Sequence, residues 1–167
     1  STFIAQKNEL FILPEVASWS NPFFYSIKNK SIIKLMGFEE CNLVDPTYLF
    51  YNNIHYIFAG KKHDSLYRLY LFYSEDNFYG KYNNHNLNPI VINPSNSRMG
   101  GNIIQHKSKI YRIGQNASSQ YGNGVTINLI ENLSPINYSE RELTKIKIKN
   151  NSGPHTLNIL NENIVFD

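Results

Sequence analysis

One short hairpin pattern recurs four times along this chain, and its recurrence limits the possible folds more than any other feature. The clearest copy runs Asp45-Pro46-Thr47-Tyr48-Leu49-Phe50-Tyr51, turns at Asn52-Asn53 and returns through Ile54-His55-Tyr56-Ile57-Phe58-Ala59. Tyr48, Phe50, Ile54, Tyr56 and Phe58 alternate as the two faces of strands require, and Asn tolerates the positive φ of a tight turn. Phe3 to Glu15 repeats the pattern around Lys7-Asn8. Arg98 to Ile113 repeats it around Lys107-Ser108, and Gly153 to Asp167 around Asn161-Glu162. The turns at Asn8, Asn53, Ser108 and Glu162 lie roughly 45–55 residues apart. Hairpins at that period, with strands and no helical periodicity between them, predict the blades of a β-propeller.

Taken in order, residues 1–36 supply four strands, Thr2–Ala5, Leu10–Leu13, Phe23–Ile27 and Ser31–Leu35, with a turn at Asn29-Lys30. Residues 45–92 supply a second blade. Its strand Tyr67–Ser74 is apolar on both faces, which predicts burial between neighbouring sheets; Gly80–Tyr82 and Asn88–Ile92 close the blade. Residues 98–148 supply a third, with strands expected at Asn102–Gln105, Ile110–Gly114, Val125–Ile130 and Leu143–Ile148. Residues 153–167 form the inner hairpin of a fourth. The expected fold is therefore all-β, a partial propeller of about three and a half four-stranded blades; a small repeating β-sandwich is the alternative.

Composition closes off other classes. With 41% hydrophobic and 14% aromatic residues the chain can build a core. A net charge of +3, with no basic run beyond Lys61-Lys62, gives no nucleic-acid footprint. Cys41 is the single cysteine, so no internal disulfide forms. No signal peptide or membrane-length apolar run is seen, so a soluble, cytoplasmic chain without membrane association is expected. The five histidines lack zinc spacing, and no nucleophile or phosphate-loop motif is complete, so neither metal nor cofactor is expected.

In a propeller, residues at equivalent strand ends meet around the central channel. Those positions carry Glu15, Asp45, Arg98 and His155, with Arg112, Gln115 and Asp167 after the second strand of their hairpins. Two carboxyls in one pocket can act as acid and base, with Arg98 holding one ionised. Trp19 and Tyr121 offer rings to a sugar face.

Leu13-Pro14-Glu15, Asp45-Pro46-Thr47 and Leu69-Tyr70-Leu71-Phe72-Tyr73-Ser74 resemble, in order, stretches of the five-bladed propellers of the arabinanase- and invertase-like glycoside hydrolases. Arg98-Met99-Gly100-Gly101, Tyr111 to Gln115, Tyr121-Gly122 and His155-Thr156 more closely resemble the N-terminal propeller domain of plant glucosamine inositolphosphorylceramide transferases. Bacterial relatives of that domain accompany sugar-modifying enzymes such as formyltransferases. The resemblance implies a channel that handles a carbohydrate. Glu15 and Asp45 would be an acid–base pair with Arg98 as electrostatic partner, and Trp19, Arg112, Gln115, Tyr121, His155 and Asp167 would hold the ligand. The hydrolases place three carboxylates on successive blades, whereas Arg98 stands at the third mouth here. The third carboxylate is then Asp167 or lies in further blades. A sugar-binding or protein-interaction module serving a glycosyl- or formyltransferase domain is the alternative, and open strand edges imply self-association or pairing with missing blades.

Overall fold

A computed structural model describes residues 2–6, 8–119, 122–148, 153–160 and 163–167. Among these residues every regular element is a strand, and no helix is long and apolar enough to cross a membrane. Four antiparallel sheets follow one another along the chain. The first contains β1 (Thr2–Gln6), β2 (Glu9–Leu13), β3 (Phe23–Ser26) and β4 (Ser31–Lys34), paired in chain order. The second contains β5 (Leu43–Tyr51), β6 (Ile54–Lys61) and β7 (Arg68–Ser74), with β8 (Asn83–Asn84) and β9 (Val91–Ile92) both pairing with β7. In the third, β10 (Arg98–Met99) and β11 (Ile104–His106) pair with β12 (Lys109–Gln115), followed by β13 (Val125–Leu133) and β14 (Tyr138–Ile146). A hairpin of β15 (Leu157–Leu160) and β16 (Asn163–Phe166) forms the fourth.

Local chemistry explains the hairpins. Asn8, Lys30, Asn52, Asn53, Lys107 and Ser108 all take positive φ, as the turns between adjacent right-twisted strands require. The turn expected at Asn161-Glu162 lies outside the described residues.

The sheets pack face to face through the two-sided strands. Ile57 and Ala59 of β6 and Phe72 of β7 meet Ile4, Phe11, Leu13 and Phe24 of the first sheet. The opposite faces of the same strands, Tyr56, Phe58, Leu69 and Leu71, meet Met99, Ile110, Ile130 and Tyr138 of the third. A smaller core of Ile113, Val125 and Leu157 joins the third sheet to the fourth.

Several strands differ from the sequence expectation; β5 begins early, at Leu43, and the strand expected at Asn88–Ile92 shrinks to Val91–Ile92. β14 starts at Tyr138 rather than at Leu143, because Ser134 and Asn137 bond each other's backbone in a tight turn and the chain resumes pairing at once. The strand expected at Asn102–Gln105 starts only at Ile104, as β11, and a separate short strand, β10, forms before it at Arg98–Met99. Gly101, at φ +149°, passes so close to β15 that an added Cβ would lie 2.0 Å from the Leu157 carbonyl oxygen. The strand expected at Gly80–Tyr82 forms instead at Asn83–Asn84, with Tyr82 turned into the core and its hydroxyl donated to the Phe78 carbonyl.

The third sheet is built around a buried charge. Arg112 is 0% exposed and its guanidinium donates to both carboxylate oxygens of Glu140, at 2.7 and 2.6 Å, and to Asn96 Oδ1 at 2.7 Å. Asn96 Oδ1 also accepts from Thr126 and Asn128, and Tyr138 donates its hydroxyl to Glu140. Arg112 was expected to face a ligand; this burial and this pairing correct that assignment. Burial by itself would raise the Glu140 pKa, but the charge and hydrogen bonds of Arg112, with those of Tyr138 and Asn96, outweigh it and leave the carboxyl below its ordinary value.

Arg112→Ala strands the buried Glu140 carboxylate and should cost about 3–5 kcal/mol in denaturant unfolding, whereas Arg112→Met combined with Glu140→Leu should cost much less. Folding lowers the Glu140 pKa, so the pair stabilises fully above the unfolded carboxylate value. That contribution is lost as pH falls through the folded value. The stability gap between wild type and Arg112→Ala should therefore narrow in acid.

Candidate functional site

The first strands of the four sheets begin near one another. Thr2 of β1, Asp45 and Thr47 of β5, Gly101 and Asn102 beyond β10, and Thr156 and Asn158 at the start of β15 line a cleft of about 90 Å³. Backbone-directed bonds hold these strand starts together. Thr2 Oγ1 donates to the Pro46 carbonyl at 3.1 Å, Leu157 N–H to the Gly100 carbonyl at 2.7 Å, and Asn102 N–H to Asn158 Oδ1 at 2.9 Å.

Asp45 reaches this cleft through a local irregularity. The β5–β6 register slips between Val44 and Thr47, and Asp45 sits there at φ 47° directly before Pro46. A bulge of this kind re-aims a side chain out of the sheet's alternation, at a backbone cost of about 1–3 kcal/mol. Asp45 Oδ2 then accepts from Arg98 Nε at 2.5 Å, an ion pair with both side chains mostly shielded from solvent. Glu15, from the loop after β2, completes the group. Its Oε2 accepts the Asp45 N–H at 3.3 Å, which sets the Glu15 carboxyl beside Asp45. Partial burial, then the hydrogen bond and charge of Asp45, raise the Glu15 pKa; the Asp45 N–H and Arg98 oppose the rise without cancelling it. Glu15, Asp45 and Arg98, which come from three different sheets or their loops, thus form one contact cluster.

Glycoside hydrolysis uses two carboxyls about 5–5.5 Å apart for retention or about 6.5–9.5 Å apart for inversion, free to flank the glycosidic bond. Here each carboxyl is engaged by the protein itself, Glu15 by the Asp45 N–H and Asp45 by Arg98. The cluster offers two carboxyls and a guanidinium, donors and acceptors suited to hydroxyls.

The remaining sequence candidates are placed differently. His155 Nδ1 lies 3.2 Å from Asp167 Oδ1, which also accepts from the Thr156 N–H and hydroxyl, so these residues tie the two ends of the fourth hairpin together. Gln115 stands opposite Arg98 in the β10–β12 register, is 2% exposed, and leaves Oε1 without a partner. Trp19 is 55% exposed in the loop between β2 and β3. Tyr121 lies outside the described residues. Arg112 belongs to the core described above. The sequence reading did not single out Thr2, Thr47, Asn102, Thr156 and Asn158. A signal was present, since Asp45-Pro46-Thr47 and His155-Thr156 each put a hydroxyl just past the mouth residue.

The stacked antiparallel sheets are similar in fold to part of a solved enzyme. The crystal structure of an exo-beta-1,3-galactanase from Clostridium thermocellum matches with a TM-score of 0.61 at 14% identity, over 83% of this chain and 33% of that one. This chain therefore spans about a third of that enzyme's length, and the likeness is one of fold. The family is given by the sequence itself: residues 3–161 match the family described as glucosamine inositolphosphorylceramide transferase 1, N-terminal, and the chain belongs to it. Both findings support the propeller relation expected from the sequence. No curated protein matches by sequence.

Glu15→Gln should test the electrostatics. A carboxyl whose pKa is raised by folding destabilises the native state once pH exceeds the unfolded value, and does so fully above the folded value. A Gln amide can hydrogen-bond to Asp45 without that charge. The substitution should raise the melting temperature at pH 7 and leave it unchanged below the ordinary carboxylate range.

Proposed function

We propose that this chain is a partial five-bladed propeller whose channel mouth binds a glycan without hydrolysing it at Glu15 and Asp45. The blades of this reading are residues 1–36, 45–92 and 98–148, with the hairpin 153–167 belonging to a fourth. The observation that carries the proposal is the cluster of Glu15, Asp45 and Arg98, whose Asp45 also lines a cleft edged by Thr and Asn side chains. Vicinal sugar hydroxyls both give and accept hydrogen bonds, and a carboxylate beside a guanidinium answers both needs in one plane. Gln115 Oε1, buried behind Arg98, is a further acceptor for a hydroxyl entering the cleft. The family description and the galactanase fold support carbohydrate as the ligand class. A binding module serving a transferase domain fits these observations better than a hydrolase does, because Asp45 is ion-paired with Arg98 and Glu15 is bonded to the Asp45 N–H.

In calorimetric titrations with a panel of oligosaccharides, Arg98→Ala and Asp45→Ala should weaken binding at least tenfold, with no reducing sugar released by the wild type. Turnover that disappears in Glu15→Gln would restore the hydrolase reading.

Two surfaces remain apolar and open. Phe3 and Leu10 are exposed on the first sheet, and Ile164, Val165 and Phe166 on β16. We assign these to packing against further blades or a second copy, since exposed sheet faces and strand edges of this kind pair readily. Light scattering on the 167-residue chain should show self-association; a monodisperse monomer counts against that assignment.

A further inference from the structure

The cleft of about 90 Å³ has room for about three water molecules at ~30 Å³ each, less than a whole sugar ring. A glycan that inserts one edge there must lay its remaining rings on the surrounding surface. The loop between β2 and β3 provides such a surface. Thr2 pairs with Leu13 and Phe23 with Lys34, so this loop opens at the end of the first sheet where Thr2 lines the cleft. Glu15 begins the loop and Trp19 follows four residues later, no more than about 14 Å away between Cα atoms even if the chain were extended. The hydrogen bond from Trp19 N–H to the Val16 carbonyl, at 2.7 Å, turns the segment and shortens that span.

The local structure around Trp19 is that of a supported ring. Its indole is exposed, while Phe23, packed against it with a centroid distance of 5.4 Å, is buried. Asn42 Nδ2 donates to the Ala17 carbonyl at 2.9 Å and ties the loop to the connector before β5. Ser18, Ser20, Asn21 and Lys34 edge a depression of about 350 Å³ beside the indole. An apolar plate ringed by hydroxyl and amide groups suits a pyranose, whose C–H face packs on the ring while its hydroxyls reach the rim.

From this we infer a second sugar subsite at Trp19, which extends the cleft and makes the mouth selective for oligosaccharides over single sugars. The inference rests on the cleft being a glycan site. Trp19 is the single tryptophan of the chain, so its emission reports this subsite alone. Chitotriose and β-1,3-galactotriose, with N-acetylglucosamine and galactose as their single-ring counterparts, are titrated into wild type, Trp19→Ala, Trp19→Phe and Arg98→Ala, each followed by fluorescence and calorimetry. A trisaccharide should change the emission saturably with the affinity that calorimetry gives. Trp19→Ala should lose about tenfold in trisaccharide affinity, Trp19→Phe should recover part of it, and the single sugars should bind all variants with an intact Arg98 equally. Heat of trisaccharide binding with unchanged emission, and with full affinity in Trp19→Ala, overturns the subsite and leaves the cleft standing. An emission change that survives Arg98→Ala at full affinity overturns the cleft and leaves the subsite. Neither heat nor emission change with any sugar overturns both.

Discussion

The buried pairing of Arg112 with Glu140 is the interaction on which the rest of this structure depends. A guanidinium wholly removed from water is tolerable only if its charge and its donors are answered, and here a carboxylate and an amide do both. Asn96 is the link outward. Its Oδ1 accepts from Arg112, Thr126 and Asn128 at once, and Gly114 leaves space for it: a Cβ at that position would lie 2.3 Å from Asn96 Oδ1. Asn96 is also part of the turn from Asn93 to Ser97, closed by backbone bonds to the Asn93 carbonyl. Arg98 follows that turn immediately. The network in the core of the third sheet thereby fixes where the strand carrying Arg98 begins, and so where its guanidinium meets Asp45.

From that point the mouth is an electrostatic chain. Arg98 holds the Asp45 carboxylate, Asp45 is turned out of its strand by a bulge, and its N–H holds Glu15. Partial burial, with the neighbouring Asp45, raises the Glu15 pKa against the opposing pull of Arg98. The result is a compact polar group drawn from three sheets or their loops.

Much of this was legible in the residues. Alternation and turn chemistry located the hairpins at Asn8, Asn53 and Ser108, because strand period and positive φ are local properties. The apolar faces of Leu69-Tyr70-Leu71-Phe72 announced a strand covered on both sides, and it is. Equivalence of strand ends brought Glu15, Asp45 and Arg98 together on paper, since a repeat carries long-range information that a single motif lacks. Arg112 defeated the same logic. Its place after a hairpin resembled a mouth position, but alternation along β12 turns it to the face where Glu140 lies, and a charged strand such as β14 does not advertise that one of its glutamates is buried. The bond from the Asp45 N–H to Glu15 was equally hidden, because it forms at a bulge that frees that N–H from the sheet.

The most direct test is a crystal structure of the protein soaked with an oligosaccharide from the binding panel. A saccharide edge seated on Arg98 and Asp45, with Asp45 still paired to Arg98 and Glu15 still on the Asp45 N–H, is the predicted result. Carboxyls drawn apart to flank a glycosidic linkage would contradict it, and would make the mouth a hydrolytic centre after all.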